Sequence, residues 1–280
     1  MLPYNEPGRA FFMNYFISSA QMTTEHPEIG QAVMHSHDSY EIYLFLDGKA
    51  DYLVEGNKYR LRKGDLMLMR RGELHINSIR GEGTYRRMYI NFDISELLAE
   101  TGNLALLDIF DKRSLGEYNH YAAKEFPENH WQELITAICN ASGKEEKLCY
   151  LLPLLQELKR YFPVLSAATS GNEHNTVTEI CRYINADLSQ DLSLEHLAEK
   201  FYLSKTHLNR LFKANVGTTA GQYIRLKRLF LAKESIQKGV QPTELYTRCG
   251  FRDYTTFYRA FKQQFSQSPK EVWDLTHHTG

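Results

Sequence analysis

Four side chains in the N-terminal part of the sequence are of the types that ligate metals or bind polar ligands. His35, His37 and Glu41 lie within the segment HSHDSYEIYLFLDG, and His75 follows some thirty residues later. Residues at even spacing along a strand point to one face, so His35, His37 and Glu41 share a side if the segment is extended. Three imidazoles and one carboxylate suit Fe, Mn, Ni or Zn, and a metal so held can support oxygenase or isomerase chemistry. Without a metal, the same groups line a pocket and hydrogen-bond an organic ligand. The metal-free pocket is the expectation adopted: no catalytic residue and no required cofactor, with a divalent transition metal on His35, His37, Glu41 and His75 as the alternative. Tyr43 has the same parity and suits stacking on a sugar face, or packing in the core.

A second group of residues points to nucleic acid. Residues 192–216 read LSLEHLAEKFYLSKTHLNRLFKANV. Ser193 and Ser204 are placed to cap two short helices, 194–200 and 205–213, with Tyr202 and Leu203 in the turn between them. Leu194, Leu197, Ala198, Leu203, Leu208, Leu211 and Phe212 form one apolar set, as a helix-turn-helix requires. The second helix then exposes Lys205, Thr206, His207, Asn209, Arg210 and Lys213. Residues 243–265, TELYTRCGFRDYTTFYRAFKQQF, repeat the pattern. Leu208, Arg210, Phe212 and Lys213 have counterparts 49 residues later in Phe257, Arg259, Phe261 and Lys262, whereas Leu197 matches Leu245 at an offset of 48. The second turn is therefore one residue longer. Thr243 and Asp253 are the expected caps, Gly250 the turn residue, and a helix over 220–237 joins the units.

The elements around these groups divide the chain. Segments 40–46, 51–54, 58–61, 65–69, 74–79 and 85–92 are short, apolar and separated by Gly-containing turns, which predicts a sandwich or barrel. Beyond 94 the apolar period becomes helical. Trp131, Leu134, Ile135 and Ile138 share a face behind Asn129, a candidate cap. Leu148, Leu151, Leu155, Leu158 and Phe162 form a seam interrupted by Pro153, which either starts a helix or kinks one. That seam is expected to make a homodimer through the 129–162 helices. Segment 163–175 reads as a linker. Met1–Phe16, with Tyr4, Phe11, Phe12 and Tyr15, reads as an N-terminal arm or as the lead-in to a first strand.

Charge follows the same division. The 280 residues carry 33 Lys/Arg and 34 Asp/Glu, a net −1. Residues 1–171 hold 18 basic and 23 acidic residues, while 200–262 hold 13 basic and 3 acidic, a net +10. A basic block on an acidic chain points to a polyanion partner. No apolar run approaches the roughly 20 residues of a spanning helix, and no signal peptide is visible, so a cytoplasmic protein without membrane contact is expected. Cys139, Cys149, Cys181 and Cys249 form no CxxC pair and read as reduced, mostly buried thiols.

Two resemblances follow. Residues 176–275 resemble the DNA-binding domain of the AraC/XylS family of bacterial transcription regulators, through LAEKFYLSKTHLNRLFK, GQYIRLKRLFLAKESI and GFRDYTTFYRAFKQQFSQSP. Tyr246 departs from the family, which usually has Ala there. Residues 10–92 resemble a cupin, through HxHx3Ex6G at His35, His37, Glu41 and Gly48 and Gx5PxGx2H at Gly64, Gly72 and His75, with Arg70 in place of Pro. The resemblance implies an α+β protein: a cupin-type sensing and dimerisation domain over 1–162, the 163–175 linker, and a double helix-turn-helix over 176–280. It implies double-stranded DNA and a small-molecule, sugar-like effector as partners, and RNA polymerase by analogy. By motif position, Thr206, Asn209, Arg210, Tyr254, Thr255, Thr256 and Arg259 face bases, and Lys205, Lys213 and Lys262 face phosphates. The expected function is a ligand-responsive activator of carbohydrate or related small-metabolite genes. The alternatives are a metal-dependent cupin enzyme fused to a helical domain, and a regulator whose barrel only dimerises.

Overall fold

The computed structural model describes residues 15–25, 34–168 and 175–277. The strands are β1 (Phe16–Thr24), β2 (Tyr40–Asp47), β3 (Ala50–Val54), β4 (Asn57–Arg60), β5 (Leu66–Met69), β6 (His75–Ile79), β7 (Tyr85–Asp93) and β8 (His120–Tyr121). They form two antiparallel sheets, ordered β1-β7-β2-β5-β8 and β4-β3-β6. The six strands expected between 40 and 92 are present. Tyr15 leads into β1 beneath the Lys144 ammonium, 4.5 Å from its ring; Tyr4, Phe11 and Phe12 of the expected arm lie outside the described residues.

Helices α1 (Ser95–Glu100), α2 (Asp108–Asp111), α3 (Trp131–Asn140) and α4 (Lys144–Ala168) cover the outer face of the larger sheet. As a result β2 is apolar on both faces. Tyr40, Ile42, Leu44 and Leu46 pack outward under the helices, and Tyr43 and Phe45 pack inward. The Trp131 indole donates to the Gly64 carbonyl at 3.0 Å and ties α3 to the barrel.

Three expectations about these helices are corrected. Asn129 does not cap α3; His130 occupies that position without a side-chain bond, and Asn129 donates to the Phe126 carbonyl. Pro153 and Pro163 both lie inside one helix, α4, which runs into the segment read as linker; residues 169–174 of that segment lie outside the described residues. The apolar seam of α4 is mostly used within the protomer, with Leu148 and Phe162 partly buried at its ends. Leu151, Leu154, Leu155 and Leu158 are wholly buried in the protomer's own core, against the outer face of the sheet.

The C-terminal part is helical: α5 (Thr176–Ala186), α6 (Leu194–Lys200), α7 (Lys205–Asn215), α8 (Ala220–Gln237), α9 (Pro242–Arg248), α10 (Tyr254–Phe265) and α11 (Pro269–His277). Its two halves differ in what they pack against. Leu53, Leu74 and Ile76 of the barrel share one apolar core with Val177, Ile180, Cys181, Ile184, Leu208 and Phe212. The core around Leu245, Phe257, Phe261 and Val272 contains no barrel residue among those described.

A buried ion pair braces the barrel. The Glu73 carboxylate accepts from both Arg113 Nη atoms at 2.8 and 2.7 Å, from Gly116 N at 2.7 Å, from Asn119 Nδ2 at 2.9 Å and from Arg70 N at 3.1 Å. Proline at position 70 would have no N–H to give, so the departure from the cupin pattern has a structural use. Burial favours the neutral carboxyl, but the Arg113 charge and these bonds outweigh it and hold Glu73 below the ordinary carboxylate value. Arg113→Met leaves this carboxylate buried without its counter-ion, and is expected to cost about 3–5 kcal/mol. Urea unfolding measures it; a loss under about 1 kcal/mol would show that the brace contributes little.

Candidate functional site

The two reading units are built largely by local signals. Ser193 Oγ accepts from His196 N and Ser204 Oγ from His207 N, each at 3.2 Å, and Asp253 Oδ1 from Thr256 N at 2.8 Å. The expected Thr243 cap is replaced: α9 starts on Pro242 behind Gln241, because proline fits the first helical position. Tyr202, at φ 55°, turns the first unit, and Gly250, at φ 77°, turns the second. A Cβ on Gly250 would lie 2.5 Å from Leu188 O and from Arg228 Cζ. Arg228 crosses there to donate to the Leu188 and Gln190 carbonyls at 2.9 and 3.0 Å, fastening α8 to the loop before α6. Tyr246 is accommodated edge-on to Tyr254, with ring centroids 6.0 Å apart.

On α7, Lys205, Thr206, Arg210 and Lys213 are exposed; on α10, Tyr254, Thr255, Thr256, Arg259 and Lys262 are exposed. Arg210 and Arg259 make no ion pair among the described residues, whereas Lys205 pairs with Glu195. Asn209 differs from the expectation. It is half-buried, and its Oδ1 accepts from Ala220 N at 3.2 Å. Bidentate reading of adenine needs both the acceptor and the donor of the amide, so Asn209 is placed to hold α7 against the start of α8.

In the N-terminal half the four expected pocket residues do meet, although strand parity does not bring them together. The chain bends at Asp38 and Ser39, and an isolated bridge pairs His35 with His75. The three rings lie 4.4 to 5.2 Å apart, and their nitrogens fall within 4.8 Å of one another. Glu41 Oε2 lies 2.9 Å from His37 Nε2 and 3.2 Å from His75 Nε2. The cluster sits at the barrel mouth: His35 is exposed, His37 half-buried and His75 buried. The side chains of the barrel interior beneath them are buried. Tyr43, Phe45, Tyr52, Met67, Met69 and Tyr85 are each 2% exposed or less. Tyr43, the candidate stacking ring, is core: its hydroxyl meets that of Tyr85 and its ring lies edge-on to Tyr52, at 4.9 Å.

The protons in this cluster follow from one contact. His75 Nδ1 lies 2.8 Å from the Glu73 carbonyl, which can only accept, so Nδ1 carries a hydrogen. Nε2 facing a carboxylate oxygen then needs a cation: the second proton of His75 or a metal ion. Burial disfavours that proton, but the hydrogen bond and charge of Glu41 outweigh it and raise the His75 pKa. Burial likewise opposes the Glu41 charge, and bonds from His37 and His75 hold it well below the carboxylate range. The donor set also fits a divalent transition ion, since a ligand histidine whose other nitrogen donates to a carbonyl is oriented for coordination.

The family models match both halves. One described as an AraC-like ligand binding domain matches residues 27–134, and one described as a helix-turn-helix domain matches residues 197–273. This chain belongs to the AraC/XylS family. It is a DNA-binding transcription regulator with an N-terminal ligand-binding domain. The HTH-type transcriptional activator RhaS of Enterobacter sp. (strain 638) is 23% identical over 273 residues, covering 93% of this chain and 95% of that protein. An uncharacterized HTH-type transcriptional regulator, YbfI of Bacillus subtilis (strain 168), is 28% identical over 223 residues and 78% of each chain. The solved structure of ToxT from Vibrio cholerae aligns with 95% of this chain and 99% of its own at 12% identity, with a TM-score of 0.38. No helix among the described residues is long and apolar enough to cross a membrane.

One functional group carried no sequence signal. Glu55 sits in the β3–β4 turn at φ 47°, and only 1% of it is exposed. Its Oε1 accepts from Leu74 N at 2.8 Å and Lys227 Nζ at 2.9 Å; its Oε2 accepts from Asn185 Nδ2 at 3.2 Å and from the Tyr223 hydroxyl. Burial, then Cys181 and Glu55 itself, push the Tyr223 hydroxyl well up, so it remains a donor. Three of the four donors belong to the DNA-binding half. Lys227→Met removes the counter-charge of a buried carboxylate, so the halves should separate. Calorimetry should then resolve two unfolding transitions in the variant and one in the unaltered chain; a single unshifted transition in the variant would show that Lys227 does not hold them.

Proposed function

We propose that this regulator is a cytoplasmic activator that couples a small-metabolite effector to DNA affinity, with no catalytic step and no required cofactor. The observation that carries it is the display of α7 and α10: two capped helices, each with an exposed arginine that makes no ion pair among the described residues, joined through α8. Helices presented in this way suit successive major-groove segments. Activation is supported by the name of the RhaS relative, and contact with RNA polymerase follows from an activator's role. Tyr43, the ring expected to stack on a sugar, is buried against Tyr52 and Tyr85, so the proposal is limited to a small metabolite of the regulated genes.

Thr206, Arg210, Tyr254, Thr255, Thr256 and Arg259 are proposed to face bases, and Lys205, Lys213 and Lys262 phosphates. On a site selected from random DNA, Arg210→Ala and Arg259→Ala should each weaken specific binding by about 1–3 kcal/mol and relax choice at one position. Lys213→Ala should weaken all sequences alike and flatten the salt dependence. Equal loss of specific and non-specific binding in the arginine variants would make them phosphate contacts.

A second reading rests on the mouth cluster. His35, His37 and His75 with Glu41 would hold a divalent transition metal, which when bound would act as a Lewis acid toward an oxygen of the effector. The metal-free state is preferred because a second proton on His75 already satisfies Glu41. Elemental analysis of protein purified without chelator or histidine tag should find substoichiometric metal; one ion per chain would reverse the preference.

A further inference from the structure

The barrel and α8 line an open cavity of about 360 Å³ beside the Glu55 contact, whose Asn185 and Lys227 form part of its wall. Its volume falls in the range of small-molecule sites. Leu115 and Arg70 come from the barrel half, Leu188 from the loop after α5, and Phe230 and Leu231 from α8. The charges on its wall are nearly all compensated. Lys227 is paired with Glu55 at 2.9 Å, Arg71 with Asp93, Lys238 with Glu234 at 2.5 Å, and Asp38 with Lys233 at 2.5 Å. Arg70 is the exception. Its side chain gives one bond, from Nη1 to the Arg113 carbonyl at 3.1 Å, and it has no carboxylate partner among the described residues. A guanidinium has five N–H donors in a rigid fork, so this bond anchors the group and leaves others for a ligand.

We propose that this interdomain cavity is the effector site, and that it takes an organic anion with an apolar body: the anion on Arg70, the body against Phe230, Leu231, Leu188 and Leu115. The proposal rests on the ligand-responsive reading above and replaces the sugar with an anion. It gives Arg70 two separable roles, since its backbone N–H braces Glu73 while its side chain receives the ligand. It also supplies a route to DNA. The first reading unit shares an apolar core with Leu53, Leu74 and Ile76 of the barrel, and the core of the second contains no barrel residue among those described. A ligand spanning the barrel and the far half of α8 therefore acts on the angle of the second unit. It shifts the DNA-binding equilibrium by the difference in its affinity for the two arrangements.

The test uses the full chain and the fluorescent anion 1-anilinonaphthalene-8-sulfonate. The unaltered protein should bind one probe per chain, and the bound probe should change the affinity for the selected DNA site. Arg70→Gln keeps the backbone N–H and should weaken probe binding about tenfold or more. Gln237→Trp, at an exposed position on the cavity wall, should obstruct binding in a chain that melts normally. 1-Naphthoate should displace the probe where inorganic phosphate at equal ionic strength does not. Unchanged affinity in both variants overturns the proposal, and so does equal displacement by phosphate, because the apolar wall would then play no part. Probe binding lost in Glu41→Gln but kept in Arg70→Gln would move the effector to the barrel mouth. Specific DNA binding without probe is measured in every variant: if it persists while the cavity result fails, the regulator reading stands and only the site is wrong.

Discussion

The carboxylate of Glu55 governs how the two halves of this protein meet. A buried carboxylate is tolerated only when charge and hydrogen bonds replace lost water. Here one donor comes from the barrel backbone and three come from α5 and α8. The left-handed turn at Glu55 aims the group out of the β3–β4 hairpin and into the neighbouring helices. Around it the apolar surfaces close tightly, and glycines permit the approach: a Cβ on Gly56 would lie 3.2 Å from Cys181 Sγ, and one on Gly217 would lie 3.1 Å from Ile76 Cγ2.

This docking is uneven. The first helix-turn-helix shares its core with the smaller sheet, and the second keeps a core of its own. The long helix α8 belongs to both, carrying Tyr223 and Lys227 at the Glu55 contact and Leu229 and Ile236 in the second core. Any change between the barrel and the outer half of α8 bears on one recognition helix more than on the other. The Asp38–Lys233 pair lies on this path, next to the bend that carries His37.

The barrel itself is braced from outside and filled within. Glu73 and Arg113 satisfy one another and the loop around Gly116 and Asn119, while tyrosines and methionines occupy the interior. The histidine cluster caps that interior at the mouth. It is linked to the brace by the peptide between Glu73 and His75, so the proton on His75 Nδ1 is set by the segment before β6 that carries Glu73 of the buried pair.

Much of the fold was legible in the residues because it is local. Caps at Ser193, Ser204 and Asp253, the span of α8, the longer second turn and the six barrel strands depend on neighbours a few positions away. The meeting of His75 with the 35–41 segment came from a motif match rather than from parity, since the bend at Asp38 breaks the alternation. What only the tertiary structure decided is which surface each pattern serves. An apolar stripe on α4 reads the same whether it meets a second copy or its own sheet, and Leu151, Leu155 and Leu158 meet the sheet. Tyr43 has the parity of a pocket residue and the surroundings of core; Asn209 has the position of a base reader and the bond of a brace. Glu55 resembles any turn glutamate until residues 130 to 172 positions away enclose it. Spacing sets the face a side chain occupies, but burial and charge compensation depend on partners that the chain brings near only when it folds.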